Sequence, residues 1–501
     1  MRKVGYIGTA VFALQFVALL LWSWHLWTRF DLTNDMATFG QAFSQIGTGH
    51  LNPYETTFPH DYPHWGYPFY QSHFELLMWP LASLYTLTRS LFVLLVVQDL
   101  ALAVAGLAAF RWGLDILRRG WPDGRRGASL VAAGLIIVLV VNPWTIWTVS
   151  FDFHFQTIAT CFAVLAARDA WNGRQRAWLW VALVLLCGDV AATYVIAVGL
   201  IAILTNRKMR WTGVGFIGAA LVWLMLIGVV HAAKGSSLSA GYGYLAGHNV
   251  KDGLPGMAAI LFGLGTHPQR AMSVVDGRWH QMYQYLAGSG LIGIASFIGL
   301  VPVLSVLVVN GLNANSIYVS HIAAFQNVFI VFFMGVGAAS VLTWLARRRR
   351  RGAMALTVAV GLAALVQACV VSSLVAPQAR TTFVAVSAPT AAEVARVRSQ
   401  IPPTAEAVVS IGVIGRFAER PYLYPYGYTF PGGQAVPIHS KSVYFVFTRA
   451  TGVQSVSAEA TDRAVQQLVQ LGARIIVDSK ELVALVWTPP PHVKELQLAD
   501  T

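Results

Sequence analysis

Apolar runs of about 20 residues, separated by short polar or basic segments, recur along most of the 501-residue chain. A helix rises 1.5 Å per residue, so about 20 such residues cross the roughly 30 Å hydrocarbon core of a bilayer. The pattern predicts full spans at 5–27, 90–113, 129–149, 151–171, 211–233, 320–345 and 352–374. Two further stretches are apolar but interrupted. Residues 177–205 carry Gly188 and Asp189 near the middle, and residues 290–312 carry Pro302 and no charge. A broken helix at membrane depth is tolerated where the break is buried in protein or lines a cavity. The expected fold is therefore mainly α: a polytopic membrane helix bundle over residues 1–375, with about seven full spans and two broken or re-entrant segments.

From about residue 376 the periodicity changes. AAEVARVRSQI and ATDRAVQQLVQLG have helical spacing, whereas AVVSIG, SVYFVFT, ARIIVDS and LVALVW read as short strands. Residues 376–501 are expected to form a small α/β domain. Its IGVIG run lacks the GxGxxG spacing and no Walker motif occurs, so a docking or lid role is favoured over nucleotide binding.

Composition agrees with this reading. Hydrophobic residues make up 56% of the chain and charged residues only 11%, which excludes a soluble protein. The first run follows Arg2 and Lys3 as a signal peptide would, but its apolar stretch is too long and no small-residue cleavage site follows, so it reads as a retained anchor. The net charge of +13 suggests nucleic acid until its distribution is considered. Sixteen basic residues fall in five clusters beside apolar runs: Arg2–Lys3, Arg118–Arg126, Arg174–Arg176, Arg207–Arg210 and Arg347–Arg351. The positive-inside rule makes these cytoplasmic and in contact with anionic membrane lipid. It places the N-terminus in the cytoplasm, and loops 28–89 and 234–289 and the C-terminal domain outside. No nucleic-acid partner is expected. Cys161, Cys187 and Cys369 have neither disulfide nor zinc spacing.

Polar chemistry concentrates in residues 28–75, where Asp31, Asp35, Glu55, Asp61, Glu75, His50, His60, His64 and His73 lie among eleven aromatic residues. Acids and imidazoles held among rings suit proton transfer, metal binding or sugar recognition. Asp35, in NDMATFGQAF, reads either as a helix cap or as a general base or metal ligand, with Asp31 as the lesser alternative. His73 and Glu75 introduce the next apolar run. His60, Asp61 and His64 resemble a metal-ligand arrangement, yet without a helix to hold the spacing they read as solvated loop.

Asp152 and His154, two apart, would point in different directions on a helix, so only one is expected to face inward, and His154 is preferred. Asp189, an ionisable residue inside an apolar stretch, is expected to face a cavity or a partner, or to cap the second half-helix. In 234–289, Tyr242, Tyr244, His248, Lys251, His267, Arg270, Arg278 and His280 form a basic and aromatic set suited to phosphate and sugar. Arg278 and His280 lie nearest the next membrane segment.

The blocks NDMATFGQAFSQIGTG, YQSHFELLMWPLASLY, DFHFQTIA, CGDVAATYVIAVGL and YVSHIAAFQNVF, with GRFAERPYLYPY in the C-terminal part, resemble in their order a family of prokaryotic multi-pass membrane proteins. That family is catalogued as a domain of unknown function and is similar to the GT-C glycosyltransferases. The resemblance implies an enzyme of the bacterial plasma membrane that takes a sugar from a polyprenyl-phosphate donor and transfers it to a glycan, lipid or protein acceptor outside. It puts the general base on Asp35, and His73, His154, Asp189 and His321 on the other motif positions. Arg278, a histidine or a divalent cation such as Mg or Mn would stabilise the leaving phosphate, with His280, Asp31 and Glu75 as further contacts. The block at 187–189 departs from the family pattern, which resembles K-E-D where this chain has Cys187, Gly188 and Asp189. Asp189 must then stand in for the missing Glu, or the site is altered. The alternatives from other classes are a lipid or solute transporter or flippase, which would carry polar residues through to the cytoplasmic half, and a non-catalytic assembly or sensor protein.

Overall fold

The computed structural model describes all residues except 1, 59–64, 122–124, 231–236, 252, 349–352, 429–432, 450–455 and 499–501. His60, Asp61 and His64 lie outside the described residues. The chain starts with α1 (Arg2–Arg29), α2 (Asn34–Gly47), a two-residue pairing of β1 (Tyr54–Glu55) with β2 (Tyr67–Pro68), and α3 (Met78–Thr88). Next come α4 (Phe92–Gly120), α5 (Arg125–Val140), α6 (Pro143–Ser150), α7 (Phe155–Trp171), α8 (Ala177–Leu185), α9 (Val190–Thr205) and α10 (Arg210–Val230). Residues 234–289, expected as a loop, are helical where described: α11 (Ser237–Ala246), α12 (Leu254–Thr266), α13 (Pro268–Asp276) and α14 (Trp279–Gly288). The membrane part closes with α15 (Phe297–Pro302), α16 (Val309–Gly311), α17 (Ala324–Arg347) and α18 (Ala353–Phe383).

Among the described residues six helices are long and apolar enough to cross a membrane: Arg2–Arg29, Phe92–Gly120, Gly127–Ser150, Arg207–Val230, Ser316–Arg347 and Ala355–Phe383. The span expected at 151–171 is shorter than that, a 17-residue helix starting at Phe155. Its first residues are taken up by a turn in which Asp152 has φ +49°. Both interrupted segments are broken as expected. Between α8 and α9 the chain turns at Gly188, whose φ of +116° is open to glycine and strained for other residues. A Cβ there would also lie 3.1 Å from Glu75 Oε1. In the second segment Pro302 cannot donate its backbone bond, and a π-helical turn over Val303–Val308 follows it before α16. Gly293, ahead of α15, lets the backbone press on α17, since a Cβ there would meet Met334 O at 2.2 Å.

α18 continues past the expected boundary to Phe383, with Pro377 inside it. Beyond it, α19 (Ala388–Gln400), β3 (Glu406–Ser410), β4 (Leu423–Tyr426), β5 (Gln434–Pro437), β6 (Val443–Thr448), α20 (Ala458–Gln470), β7 (Arg474–Asp478), β8 (Leu482–Trp487) and β9 (Glu495–Leu498) complete the chain. The five-stranded sheet has the order β4-β3-β6-β8-β7; β3 is parallel to β4 and β6, and the other pairs are antiparallel. β5 and β9 pair separately.

This α/β part is packed onto α2. Gly415 N donates to Leu32 O (2.9 Å), and the Gln41 amide donates to Arg420 O (2.9 Å). Thr56 Oγ1 both donates to Leu423 O (2.8 Å) and accepts from Leu423 N (3.1 Å). The Arg416 guanidinium lies 4.6 Å from the Trp27 ring and 4.2 Å from that of Phe30. One apolar core runs from the membrane helices through Phe43 into Ile414 and Phe417. Fully burying each such side chain contributes about 1.5–3 kcal/mol, so residues 28–47 form a buried seam between two layers.

Candidate functional site

α2 is buried along almost its whole length; Asp35, Gln45 and Gly47 are the exceptions. Its N-cap, Thr33, makes no side-chain bond to the helix. Asp152, from the turn between α6 and α7, takes that role across the bundle. Its Oδ1 accepts from Thr33 N (2.7 Å), and its Oδ2 accepts from Met36 N (3.0 Å) and Thr33 Oγ1 (2.5 Å). A carboxylate at a helix N-terminus satisfies orphan N–H groups and the helix dipole together. The Gln98 amide of α4 fixes the turn, donating to Asp152 O (2.8 Å) and accepting from His154 N (2.9 Å). Asp152 and His154 are therefore both buried and both face inward. The helical spacing argument that chose one of them fails because α7 has not yet begun.

The Asp35 carboxylate, so placed, has Oδ2 3.0 Å from His154 Nε2. Asp35 is 38% exposed at its side chain and His154 only 4%. The imidazole stacks on Phe325 (centroids 3.4 Å apart, 12° between planes) and on Phe151 (5.4 Å, 23°). Its Nδ1 is buried without a hydrogen-bond partner. A proton on Nδ1 would be an orphaned buried donor, costing about 1–3 kcal/mol. The geometry thus assigns the proton to Nε2, donated to Asp35, and leaves the carboxylate's other oxygen outside the pair.

Phe39, one turn along α2, links this pair to a second group, its ring 6.3 Å from His154 and 5.4 Å from His73. His73 stacks on Phe69, with Nε2 3.9 Å from Glu55 Oε2 and Nδ1 3.9 Å from Glu75 Oε1. Glu75 sits in the space that Gly188 leaves open, and its Oε2 has no hydrogen-bond partner. Burial, and then the charges of Asp189 and Glu55, hold its carboxyl well above the usual range. Asp189 caps α9, accepting from Val190 N at 2.7 Å, and its charge acts on Glu75.

Two tyrosines complete the cluster. Tyr318, whose carbonyl accepts from Asn327 Nδ2 (2.8 Å), lies near Asp189 and Asp35. Tyr428, from the C-terminal domain, accepts from Asn34 Nδ2 (2.9 Å) and lies under the influence of Asp35 and Glu55. Neither tyrosine carries a periodic or charge signal that marks it out along the chain. Gln98 was recognisable as a polar residue within an apolar span.

The remaining candidates lie around this centre. His321 is half-buried against Trp144 and Trp147 (5.2 Å each), and Phe383 joins that group to Phe151. The Gln284 side chain bridges His321 Nε2 (2.6 Å) and the exposed His280 Nε2 (3.1 Å). Arg278 is turned away to backbone carbonyls, donating to Gly311 O (3.1 Å), Asn313 O and Ala314 O (2.8 Å). It closes the end of the α15–α16 segment.

Asp31 ties α1 to the C-terminal part: its Oδ1 accepts from Ala385 N (3.0 Å) and Val386 N (2.9 Å). Burial raises its carboxyl from 3.8 to about 7 against the pull of those bonds and of Arg29. A carboxyl with a raised folded-state pKa binds its proton more tightly folded than unfolded, so the stability it adds is full below about 4 and is lost as pH rises through about 7. Melting of the detergent-solubilised protein is expected to fall in temperature from pH 5 to 8, and Asp31→Asn should flatten that slope by up to one proton's share, about 1.4 kcal/mol per pH unit. Glu75 and Glu406 act in the same direction, so a residual slope stays. An unchanged slope in the variant would remove Asp31 from the explanation.

No three His, Cys, Asp or Glu side chains converge on a metal position among the described residues.

The apolar helices and the polar cluster walled by an α/β domain define a polytopic membrane protein with a candidate site at one end of the bundle. The chain belongs to the family described as predicted membrane protein (DUF2079), whose model matches residues 23–449. Among solved structures it is similar to the crystal structure of ArnT from Cupriavidus metallidurans bound to undecaprenyl phosphate, at 11% identity and a TM-score of 0.45 over 95% of this chain and 97% of that one. No curated protein matches the chain.

Proposed function

We propose that the protein is a membrane glycosyltransferase of the GT-C type, moving a sugar from a polyprenyl-phosphate donor to a hydroxyl of a glycan, lipid or protein acceptor at the outer face of the plasma membrane. The observation that carries the reading is the Asp35–His154 pair: a carboxylate 38% exposed, held at 3.0 Å by an imidazole that is itself 4% exposed and clamped between helices. A general base needs that combination of access and fixed geometry. Asp35 takes the proton of the acceptor hydroxyl as its oxygen bonds to the anomeric carbon, and the phosphate leaves from the opposite face with the electron pair of the broken C–O bond. The His154 ring makes its hydrogen bond to Asp35 and acts as its positioning residue. Tyr318 and Tyr428 offer aromatic surface for a sugar ring. Arg278 is committed to carbonyls, so charge on the leaving phosphate falls to the His280–Gln284–His321 group.

The test is incubation of the purified protein with a panel of polyprenyl-phosphate sugars, followed by mass spectrometry. Loss of a donor with release of the polyprenyl phosphate is the expected result. A panel that is neither bound nor turned over would overturn the reading in favour of a non-catalytic protein.

A further inference from the structure

A fissure of about 650 Å³ opens at the other end of the bundle. α4 and α17 run from one place to the other. Gln98 of α4 holds the backbone of His154 and Phe325 of α17 stacks on its ring, while Arg119 and Arg347 at the far ends of the same helices line the fissure. Along each helix the rise between these points is roughly 30 Å, the thickness of a bilayer's hydrocarbon core.

The two arginines are brought together by packing. Arg347 Nε donates to Gly120 O (2.6 Å) and Nη2 to Arg119 O (3.2 Å). A Cβ on Gly120 would lie 2.4 Å from Thr343 Cγ2 and 2.9 Å from that guanidinium, so the close approach of α4 and α17 here favours a glycine. Arg119 lies over the Trp171 ring at 4.4 Å and donates to Asn172 Oδ1 (2.6 Å). Neither guanidinium forms an ion pair with a carboxylate among the described residues. Each guanidinium has five N–H groups, so donors remain on both. Beside this doubly cationic mouth the fissure is apolar, walled by Phe297, Leu300 and Trp344, with Ser296 and Ser340 between.

Two guanidiniums with no carboxylate partner among the described residues, above an apolar slot at a membrane boundary, match a phosphate ester attached to hydrocarbon chains. We infer that this fissure binds one anionic phospholipid of the leaflet opposite the Asp35 site. Its phosphodiester sits between Arg119 and Arg347, and an acyl chain lies along Phe297, Leu300 and Trp344. The site is independent of the proposed transfer reaction.

Native mass spectrometry of the full-length protein tests it, with phosphatidylglycerol, phosphatidylcholine, an undecaprenyl phosphate and chain-free glycerol phosphate as probes. Phosphatidylglycerol is expected to be retained at least tenfold better than phosphatidylcholine, and glycerol phosphate not at all. The pair Arg119→Gln and Arg347→Gln should remove that preference, whereas Arg207→Gln with Lys208→Gln and Arg210→Gln, a basic cluster outside the fissure, should keep it. Arg347 also bonds the end of α4, so Ser340→Phe serves if the first pair fails to fold: it fills the slot, leaves both arginines in place, and should cut retention equally. Equal retention of the two phospholipids, or a preference that survives in the variants, overturns the site. Tighter retention of undecaprenyl phosphate or binding of glycerol phosphate overturns its occupant.

Discussion

Asp35→Asn is expected to lower turnover by about 10²–10⁴-fold, the usual worth of a general base, without changing the melting temperature or the detergent-solubilised size. The amide is isosteric with the carboxylate and can still accept the His154 Nε2 proton, now 3.0 Å away from Asp35 Oδ2. The N-terminus of α2 is capped by Asp152 and does not depend on Asp35. What the substitution removes is basicity alone. The loss should therefore fall on kcat with little change in KM, and Asp35→Glu should recover part of it. Turnover at the wild-type level in the Asn variant would show that the base lies elsewhere, and the Glu75–His73 group would be the next to examine.

Asp152→Ala is expected to have the largest effect on stability. It strands the backbone N–H groups of Thr33 and Met36 and the Thr33 hydroxyl in a buried position. Orphaned buried donors cost about 1–3 kcal/mol each, and a lost helix cap about 1 kcal/mol. Burial and repulsion from Asp35 act the other way, raising the Asp152 carboxyl to about 6, so removing it also relieves an unfavourable charge. The stranded donors outnumber that relief, and a net loss on the order of 3 kcal/mol follows. Activity should fall as well, because α2 would no longer hold Asp35 against His154. Asp152→Asn keeps an acceptor oxygen and should be intermediate. A melting temperature in Asp152→Ala equal to that of the wild type would mean that α2 is held by its contacts with the C-terminal domain alone.

Much of the architecture was legible because its cause is local. A run of apolar residues forms a helix wherever it lies in a bilayer, so the expected spans other than 151–171, and the breaks at Gly188–Asp189 and Pro302, could be read directly. In the C-terminal part the six elements with clean periodicity could be read as well. β4, β5 and β9 could not, since LYPY and QAVP carry prolines and all three are four residues long. Residues 28–75 looked like a polar external segment, yet most of α2 is buried. Its polar side chains are spent on seams: Asp31 on Ala385 and Val386, Gln41 and Thr56 on Arg420 and Leu423.

The candidate site divides along the same line. Residue type and exposure at a membrane boundary singled out Asp35, His73, His154 and Asp189 as chemically capable, and a sequence can carry that much because acidity, ring nitrogen and local apolarity belong to single residues. Their roles depend on partners far away along the chain. Asp35 meets His154 across 119 positions, as Thr33 meets Asp152. Glu75 enters the gap left by Gly188, and Tyr428 arrives from another domain. A hydrogen bond works only over about 3 Å, and such distances are set by how the helices pack. Side-chain chemistry therefore marks which groups could act, and packing selects which of them meet.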